Sequence, residues 1–324
     1  MVDFSDKKKS CQHFSLCLKK QDFMAIQFKW EGVFPALLTP FTAEDQVDYQ
    51  MFEKNLDAQI AAGVAGVIIG GSLGEASTLL LDEKKMLVEF ALKKLNGKVP
   101  VILNIAEGST KDAVQQARLA ESWGADGIML LPPMRYKADD RETVVFFKSV
   151  AKQTALPIMI YNNPVDYKIN VTLEMFKELS ECKNINAIKE STREVMNVTR
   201  LKNRFGNRFA ILCGVDPLTV EELALGADGL VAGLVDAFPK ETVVLYNLVK
   251  AGKMEEAIKI YRLFMPLLEL DIHPKLVQYI KLAATEMGIG SEYVRAPRLP
   301  LVGEERETIL KIIRDGIATK PSLS

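Results

Sequence analysis

The sequence predicts an α/β protein of the (β/α)8 TIM-barrel class with a C-terminal helical appendage. Between residues 33 and 234, eight short apolar segments alternate with amphipathic ones. The apolar segments are continuous rather than alternating, which is typical of parallel strands buried on both faces. No Gly-x-Gly-x-x-Gly follows the first of them. This disfavours an open, doubly wound sheet, which is the main alternative.

A repeated junction supports the same fold. The spacing Gly-x-x-Gly before an apolar run occurs at Gly63–Gly66, Gly124–Gly127 and Gly226–Gly229. Each copy ends a predicted helix and begins a predicted strand, so one βα unit recurs along the chain. The eight predicted strands span residues 33–40, 64–71, 99–105, 127–133, 156–162, 185–190, 209–215 and 229–234.

Helix signals lie between the strands. Ser109 and Asp112 have capping-box spacing, and Gly124 is placed to end the same helix. Three alanines share the face that would pack on the sheet, at Ala113, Ala117 and Ala120. We expect residues 30–252 to form the barrel and residues 253–324 to form the helical region. Residues 1–29 show no periodicity and are predicted to be a loose extension.

Composition limits the function. The chain of 324 residues is 48% hydrophobic and 26% charged, with a formal net charge of -1, which is ordinary for a soluble globular protein. Without a basic patch or a long apolar segment, we expect neither nucleic acid nor a membrane as partner, and a cytoplasmic location. His13 and His273 are the two histidines and lie far apart. The cysteines show no ligand spacing, so no metal site is predicted.

The predicted strand ends carry the candidate chemistry, because barrel active sites lie at the C-terminal ends of the strands. Lys189 follows the apolar residues of the sixth strand. An amine held among apolar groups loses hydration, its pKa falls, and the free amine can form a Schiff base. The alternative is a lysine whose charge reaches water. Tyr161 ends the neighbouring strand and can pass protons to it, or is an ordinary strand aromatic.

The remaining strand ends supply a candidate binding surface. Gly71 and Ser72 follow the second strand, where backbone N–H groups and a hydroxyl can hold a carboxylate; the alternative is a plain tight turn. Glu75 is predicted to have a structural role. Asp216 is predicted to cap a helix over Pro217–Leu225 rather than to contact substrate. Leu73, Gly214 and Gly233 complete the predicted substrate-binding residues.

The order Gly-Ser-x-Gly-Glu, Tyr-Asn-x-Pro and Ile-Lys-Glu-Ser resembles the dihydrodipicolinate synthase/N-acetylneuraminate lyase superfamily over roughly residues 30–319. The resemblance implies a homo-oligomeric enzyme, a tetramer or a dimer, that needs no cofactor beyond a covalent Schiff base. It assigns the Schiff base with a 2-oxo acid, or an equivalent cyclic imine carboxylate, to Lys189, and proton transfer to Tyr161. Ser72 and the backbone at Leu73 would bind the substrate carboxylate.

Three departures point to a branch. The condensing synthases have an arginine where this chain has Asp166, and an aspartate would repel the second carboxylate that the arginine holds. They have a second hydroxyl residue where this chain has Leu73, and a second tyrosine after strand four, where this chain has Pro132-Pro133-Met134. The synthases' proton relay therefore cannot be assembled in the same form.

Four further segments are most similar to the 1-pyrroline-4-hydroxy-2-carboxylate deaminases of hydroxyproline catabolism: residues 161–164, 213–216, 275–278 and 294–301. This resemblance implies deamination of the cyclic imine to 2-oxoglutarate semialdehyde and ammonia. The alternatives are a 2-keto-3-deoxy sugar acid dehydratase or aldolase, and a synthase-like condensation. Outside enzymes, the alternative is a non-catalytic ligand-binding relative.

Overall fold

The eight strands of the computed structural model form a single parallel sheet. The model describes residues 27–133 and 136–320. The predicted extension lies mostly in residues 1–26, outside the described residues. The strands are β1 Gly32–Pro35, β2 Val67–Ile69, β3 Val101–Ile105, β4 Gly127–Leu130, β5 Ile158–Asn162, β6 Ile185–Glu190, β7 Ala210–Cys213 and β8 Gly229–Ala232.

The sheet curls into a barrel. Each strand pairs with its neighbour in sequence from β2 to β8, and β8 pairs with β1. β1 and β2 meet through an isolated parallel bridge between Ala36 and Ile68, where the Leu37 N–H donates to the Ile68 carbonyl at 2.9 Å. This is the predicted (β/α)8 TIM barrel.

Most strands are shorter than the apolar segments that predicted them. The second was predicted over residues 64–71 and spans Val67–Ile69. Gly63 and Gly70 have positive φ angles of 87° and 69°, so the chain turns close to both ends of this segment. The apolar pattern indicates which residues are buried, and the buried residues extend into the turns beyond the last residue that pairs with a neighbouring strand.

The helices cover the outside of the barrel. Those that follow the strands are α1 Tyr49–Ala62, α2 Leu81–Leu95, α3 Thr110–Trp123, α4 Asp140–Ala151, α5 Pro164–Tyr167, α6 Leu173–Leu179, α7 Met196–Phe205, α8 Thr219–Ala224 and α9 Pro239–Lys250. The predicted caps of α3 are confirmed: the Ser109 hydroxyl accepts from the Asp112 N–H, and Gly124 is left-handed. The three alanines of its predicted inner face are fully buried: Ala113, Ala117 and Ala120.

The barrel interior is packed rather than hollow. One inward-facing side chain from each strand contributes to a buried cluster: Phe34, Ile68, Ile102, Met129, Met159, Ala187, Leu212 and Val231. Phe28 and Trp30 precede β1 and pack on Phe34 at the N-terminal end of the barrel. The open end is therefore the one at which the strands finish.

The described chain after residue 252 contains helices but no strand. It forms α10 Met254–Leu268, a 3-10 turn over Glu269–Ile272, α11 Leu276–Glu286 and α12 Gly303–Ala318. The turn over Glu269–Ile272 packs against another 3-10 turn, Asp216–Leu218, which follows β7. The helical region therefore reaches the strand ends, and the division into domains at residue 252 stays a prediction. No helix in residues 27–133 and 136–320 is long and apolar enough to span a membrane.

Candidate active site

A cavity opens at the C-terminal end of the barrel. It holds about 650 Å³ of empty space, including its mouth, and every side chain or glycine predicted for the site lines it: Gly71, Ser72, Leu73, Tyr161, Lys189, Gly214 and Gly233. Residues from five different strand ends therefore meet at one place. Their assigned roles in catalysis and binding stay predictions.

Lys189 lies at the base of the cavity on β6. The parallel register of β5 and β6 puts it directly beside Tyr161, and its Nζ lies 4.1 Å from the centre of the tyrosine ring. The lysine is 7% exposed, and burial lowers its pKa, an effect that the charge of Asp271 partly opposes. The arrangement favours the free amine, the form that attacks a carbonyl or imine carbon.

Gly214 leaves the space that the lysine side chain occupies. A Cβ at this position would lie 2.7 Å from both Cε and Cγ of Lys189 and would also collide with the Ser191 hydroxyl. We expect Gly214→Ala to displace the amine and lower kcat by about 10²-fold, since a shift of about 1 Å in a reacting group has that effect. Turnover measured together with the melting temperature checks this. Full activity in a stable variant would show that the amine tolerates displacement.

Two more hydroxyl groups lie next to Tyr161. The Tyr161 hydroxyl accepts a hydrogen bond from the Asn163 amide at 3.1 Å, and burial raises its pKa. Its ring packs edge-on against Tyr167, with centroids 5.6 Å apart. The Tyr167 hydroxyl forms a short hydrogen bond with the Ser72 hydroxyl. Tyr161, Tyr167 and Ser72 therefore give the cavity three neighbouring hydroxyl groups within a single chain.

Tyr167 was missing from the sequence prediction. It enters the cavity because Asn163 caps the short helix α5, accepting from the Asp166 N–H at 3.1 Å, with Pro164 at its first position. An Asn-Pro pair after a strand is a recognisable helix start. One helical turn from that start returns the chain to the strand end, so this motif could have been used to predict Tyr167 as a cavity residue.

The turn that carries Ser72 is tightly built. Gly70 has a φ of 69°, and a Cβ on Gly74 would lie 2.7 Å from the Leu37 carbonyl oxygen. Glu75 follows with a φ of 57° and is fully buried, with its carboxylate 2.5 Å from the Lys281 ammonium. This ion pair agrees with the structural role predicted for Glu75. The hydrogen bond with Tyr167 holds the hydroxyl of Ser72, and Leu73 lines the cavity.

The prediction for Asp216 was wrong. Its carboxylate does not cap the helix that follows it; it accepts hydrogen bonds from the backbone N–H groups of Gly233 at 3.2 Å and Leu234 at 2.6 Å. Helix α8 has no side-chain cap. The N–H groups that follow β8 face Asp216 across the strand ends, and sequence order alone does not reveal this neighbour. Burial raises its pKa, and the charge of Lys189 opposes that effect.

Three charged side chains on the cavity wall complete the site. Asp166 accepts from the Asn163 amide at 2.7 Å, Arg193 follows β6, and Asp271 comes from the helical region together with Ile272 and Leu276. No sequence rule that starts from strand ends selects Asp271. In the described part of the chain, no three His, Cys, Asp or Glu side chains are grouped to hold a metal ion. The cavity presents an amine, hydroxyl groups, carboxyl groups and the Arg193 guanidinium.

Comparison with known proteins assigns the chain to a family. The model of the dihydrodipicolinate synthetase family matches residues 29–315. The chain belongs to this family. It is accordingly a Schiff-base, aldolase-type enzyme of the lyase class.

Relatives in the family cover nearly the whole described chain. The 4-hydroxy-tetrahydrodipicolinate synthase of Exiguobacterium sibiricum is 33% identical over 276 residues, 84% of this chain and 92% of that protein. The synthase of Staphylococcus haemolyticus is 30% identical over 285 residues, 87% of this chain and 96% of that protein. The crystal structure of dihydrodipicolinate synthase from Aquifex aeolicus superposes with a TM-score of 0.84 at 29% identity, over 88% of this chain and 97% of that one.

These relatives bear on the branch as well as on the family. Their names are those of synthases, so they favour the condensing branch over the deaminases of the sequence prediction. The superfamily, the fold and the enzyme class of that prediction are confirmed. The resemblance to the deaminases and the homo-oligomeric state stay predictions.

Proposed function

We propose that Lys189 forms a Schiff base with the C2 carbon of a small 2-oxo acid or cyclic imine carboxylate. The buried amine stacked on Tyr161 supports this, because the cavity lowers its pKa and opens directly above it. The substrate carboxylate binds at the turn of Ser72 and Leu73, where backbone N–H groups and a hydroxyl supply donors. Tyr161 moves protons at the carbons next to the imine.

We infer that the substrate is 1-pyrroline-4-hydroxy-2-carboxylate. The observation that carries this inference is Asp166, whose carboxylate lines the cavity and accepts from the Asn163 amide at 2.7 Å. A second substrate carboxylate near Asp166 would be repelled. An amino group released when the ring opens would instead be attracted, and this substrate acquires one. Leu73 makes the adjoining wall apolar, which suits a compact ring.

The Lys189 amine adds to C2, the C2–N bond of the ring breaks, and the substrate remains attached through a protonated imine with a free 5-amino group. The iminium draws electrons, so a C3 proton leaves and the 4-hydroxyl departs as water. Proton shifts move the new double bond to C5, forming an imine there. Water then hydrolyses both imines, and the net change is one water consumed, with ammonia and 2-oxoglutarate semialdehyde released.

A second candidate is condensation of pyruvate with aspartate semialdehyde. The names of the relatives favour it, and so does Arg193, whose cationic side chain lines the same cavity. Arg193 would have to hold the second carboxylate close to Asp166 and Asp271. The same lysine and tyrosine serve this reaction, so the charge of the wall is the feature that separates the candidates.

One comparison tests both candidates. The purified chain is mixed with 1-pyrroline-4-hydroxy-2-carboxylate and ammonia is measured; in parallel, consumption of pyruvate is followed with and without aspartate semialdehyde. We expect ammonia in amounts equal to the substrate and no condensation. Condensation without ammonia release would replace our proposal by the synthase. If the folded chain carries out neither reaction but forms a borohydride-stable adduct, the 2-keto-3-deoxy sugar acids are tested next.

Tyr161→Phe tests the proton-transfer role. Removing the hydroxyl leaves the ring beside Lys189 but takes away the group that moves the proton, so we expect kcat to fall by about 10²–10⁴-fold. Borohydride trapping of a pyruvate imine at equilibrium should reach the yield of the parent protein, because imine formation has time to finish without the catalyst. An unchanged kcat would transfer the role to Tyr167.

A further inference from the structure

Asp271 approaches the reacting end of the cavity from outside the barrel. It belongs to the 3-10 turn Glu269–Ile272 and lines the cavity that contains Lys189. A Cβ added to Gly233 would collide with Asp271 Oδ1 and lie 3.2 Å from its Cγ. The carboxyl group therefore lies directly on a glycine at the end of β8. The backbone N–H of Asp216 interacts with the carboxyl group and favours its ionised form.

We propose that Asp271 is a further catalytic residue, the acid that protonates the 4-hydroxyl group of the substrate as it leaves. The inference rests on the proposed deaminase reaction. In this step the enamine nitrogen on Lys189 re-forms its double bond to C2, the C2=C3 electron pair forms C3=C4, and the C4–O bond breaks. The oxygen leaves with that bonding pair, takes the proton of Asp271 and becomes water, and Asp271 becomes a carboxylate.

The position of Asp271 lets it act at a different substrate carbon from Tyr161. Tyr161 lies against the lysine amine and serves the carbons next to the imine. Asp271 lies against Gly233, directly after β8, and β8 is three strands round the barrel from β5, which carries Tyr161. A substrate attached to Lys189 extends two carbons past the imine to reach C4, so a separate group is needed there.

The surroundings keep a proton available to this carboxyl group. Burial raises the pKa of Asp271 to about 6. The titratable and charged groups near it are Asp166, which opposes its ionisation, Lys189 and Arg193, which favour it, and Asp216, Asp236 and Tyr161, whose own pKa values are raised. A general acid works best with a pKa near the working pH. As pH rises above about 6 the acid form is lost, so the dehydration step should slow.

The test is Asp271→Asn, which keeps the shape of the side chain and removes the proton. We expect ammonia release from 1-pyrroline-4-hydroxy-2-carboxylate to fall by about 10²–10⁴-fold. Borohydride should then trap an adduct that retains the oxygen of the hydroxyl group, one water heavier than the dehydrated adduct, as intact mass shows directly. The alkaline decline of kcat should also disappear. A purely structural role would change neither the mass of the adduct nor the pH profile.

Gly233→Ala provides a second variant that leaves Asp271 in the chain. Its new Cβ meets the end of a flexible side chain and not the lysine, and Gly233 has a φ of -101°, which alanine readily adopts. We expect slow ammonia release with normal trapping of a pyruvate imine, because the Lys189 amine stays in place.

The possible outcomes test the deaminase reaction and the role of Asp271 separately. If the parent protein releases ammonia and Asp271→Asn does so equally fast, the role of Asp271 is disproved and the deaminase stands. If the parent protein releases none, the deaminase and the dehydration role fail together. If Asp271→Asn is slow but its trapped adduct has already lost the hydroxyl group, Asp271 acts after dehydration and the proposal is wrong.

Discussion

Replacing Lys189 by alanine should abolish turnover, with a loss of more than about 10⁴-fold, because among the described residues no other amine lines the cavity. Borohydride together with pyruvate should leave the variant at its unmodified mass, while the parent protein gains one adduct. The fold should survive: the side chain ends in a cavity, and its buried amine has a lowered pKa, so its removal relieves a desolvation penalty. Melting temperature and circular dichroism check that the variant is folded.

Lys84→Ala is the matched control. Lys84 is also buried, and burial lowers its pKa too, with Glu107 at 3.9 Å. It lies outside the cavity of Lys189. We expect this variant to be trapped by borohydride and to turn over like the parent protein. If Lys189→Ala still formed the adduct and Lys84→Ala did not, the Schiff base would be assigned to the wrong lysine.

The sequence predicted the barrel because local and global signals coincide in it. A Gly-x-x-Gly junction ends a helix and begins a buried strand, and its repetition predicts the alternation on which a parallel barrel depends. Because the C-terminal ends of all barrel strands lie at the same end of the barrel, the sequence alone predicts that Lys189 and Tyr161 are close together. The expectation that a barrel's active site lies at the C-terminal ends of its strands also selected Ser72, Gly214 and Gly233, all of which line the cavity.

What the sequence missed depends on contacts between distant segments. Asp271 follows a helix that is not part of the βα repeat, and no periodicity indicates that its turn folds over the strand ends. Asp216 was misplaced for the same reason: its partners, the N–H groups after β8, are neighbours only in the closed barrel. Tyr167 is different, because the sequence could have placed it: the Asn163-Pro164 pair predicts a helix start, and Tyr167 lies one turn after it.

The helical region is joined to the site by a buried ion pair. Lys281 on α11 and Glu75, next to the turn of Ser72, are both fully buried and lie 2.5 Å apart. Burial lowers the pKa of Lys281 to about 8, against the charge of Glu75. The lysine also lies over the Phe41 ring, 4.4 Å from its centre. The turn that would bind the substrate carboxylate and the segment after Asp271 thus share one buried contact.

Lys281→Met should therefore lower the free energy of unfolding by about 3–5 kcal/mol, the usual result of leaving one partner of a buried pair uncompensated. Arg298 lies 3.5 Å from Glu75 and can reduce the loss toward the lower figure. Denaturant unfolding measures the effect. Lys311→Met is the control, since Lys311 pairs with Asp315 at the surface with both side chains more than half exposed. Such surface pairs contribute about 0–1 kcal/mol.

The double variant Glu75→Gln/Lys281→Met decides whether the effect comes from the pair itself. With both charges removed, no uncompensated charge remains buried, so the double variant should be more stable than the sum of the single changes predicts. Additive losses would mean that each side chain stabilises the protein through its other neighbours. The variants should rank in activity per folded molecule as they rank in stability, because Glu75 directly follows the turn that carries Ser72. A double variant that regains stability but not turnover would show that the pair also positions this turn for catalysis.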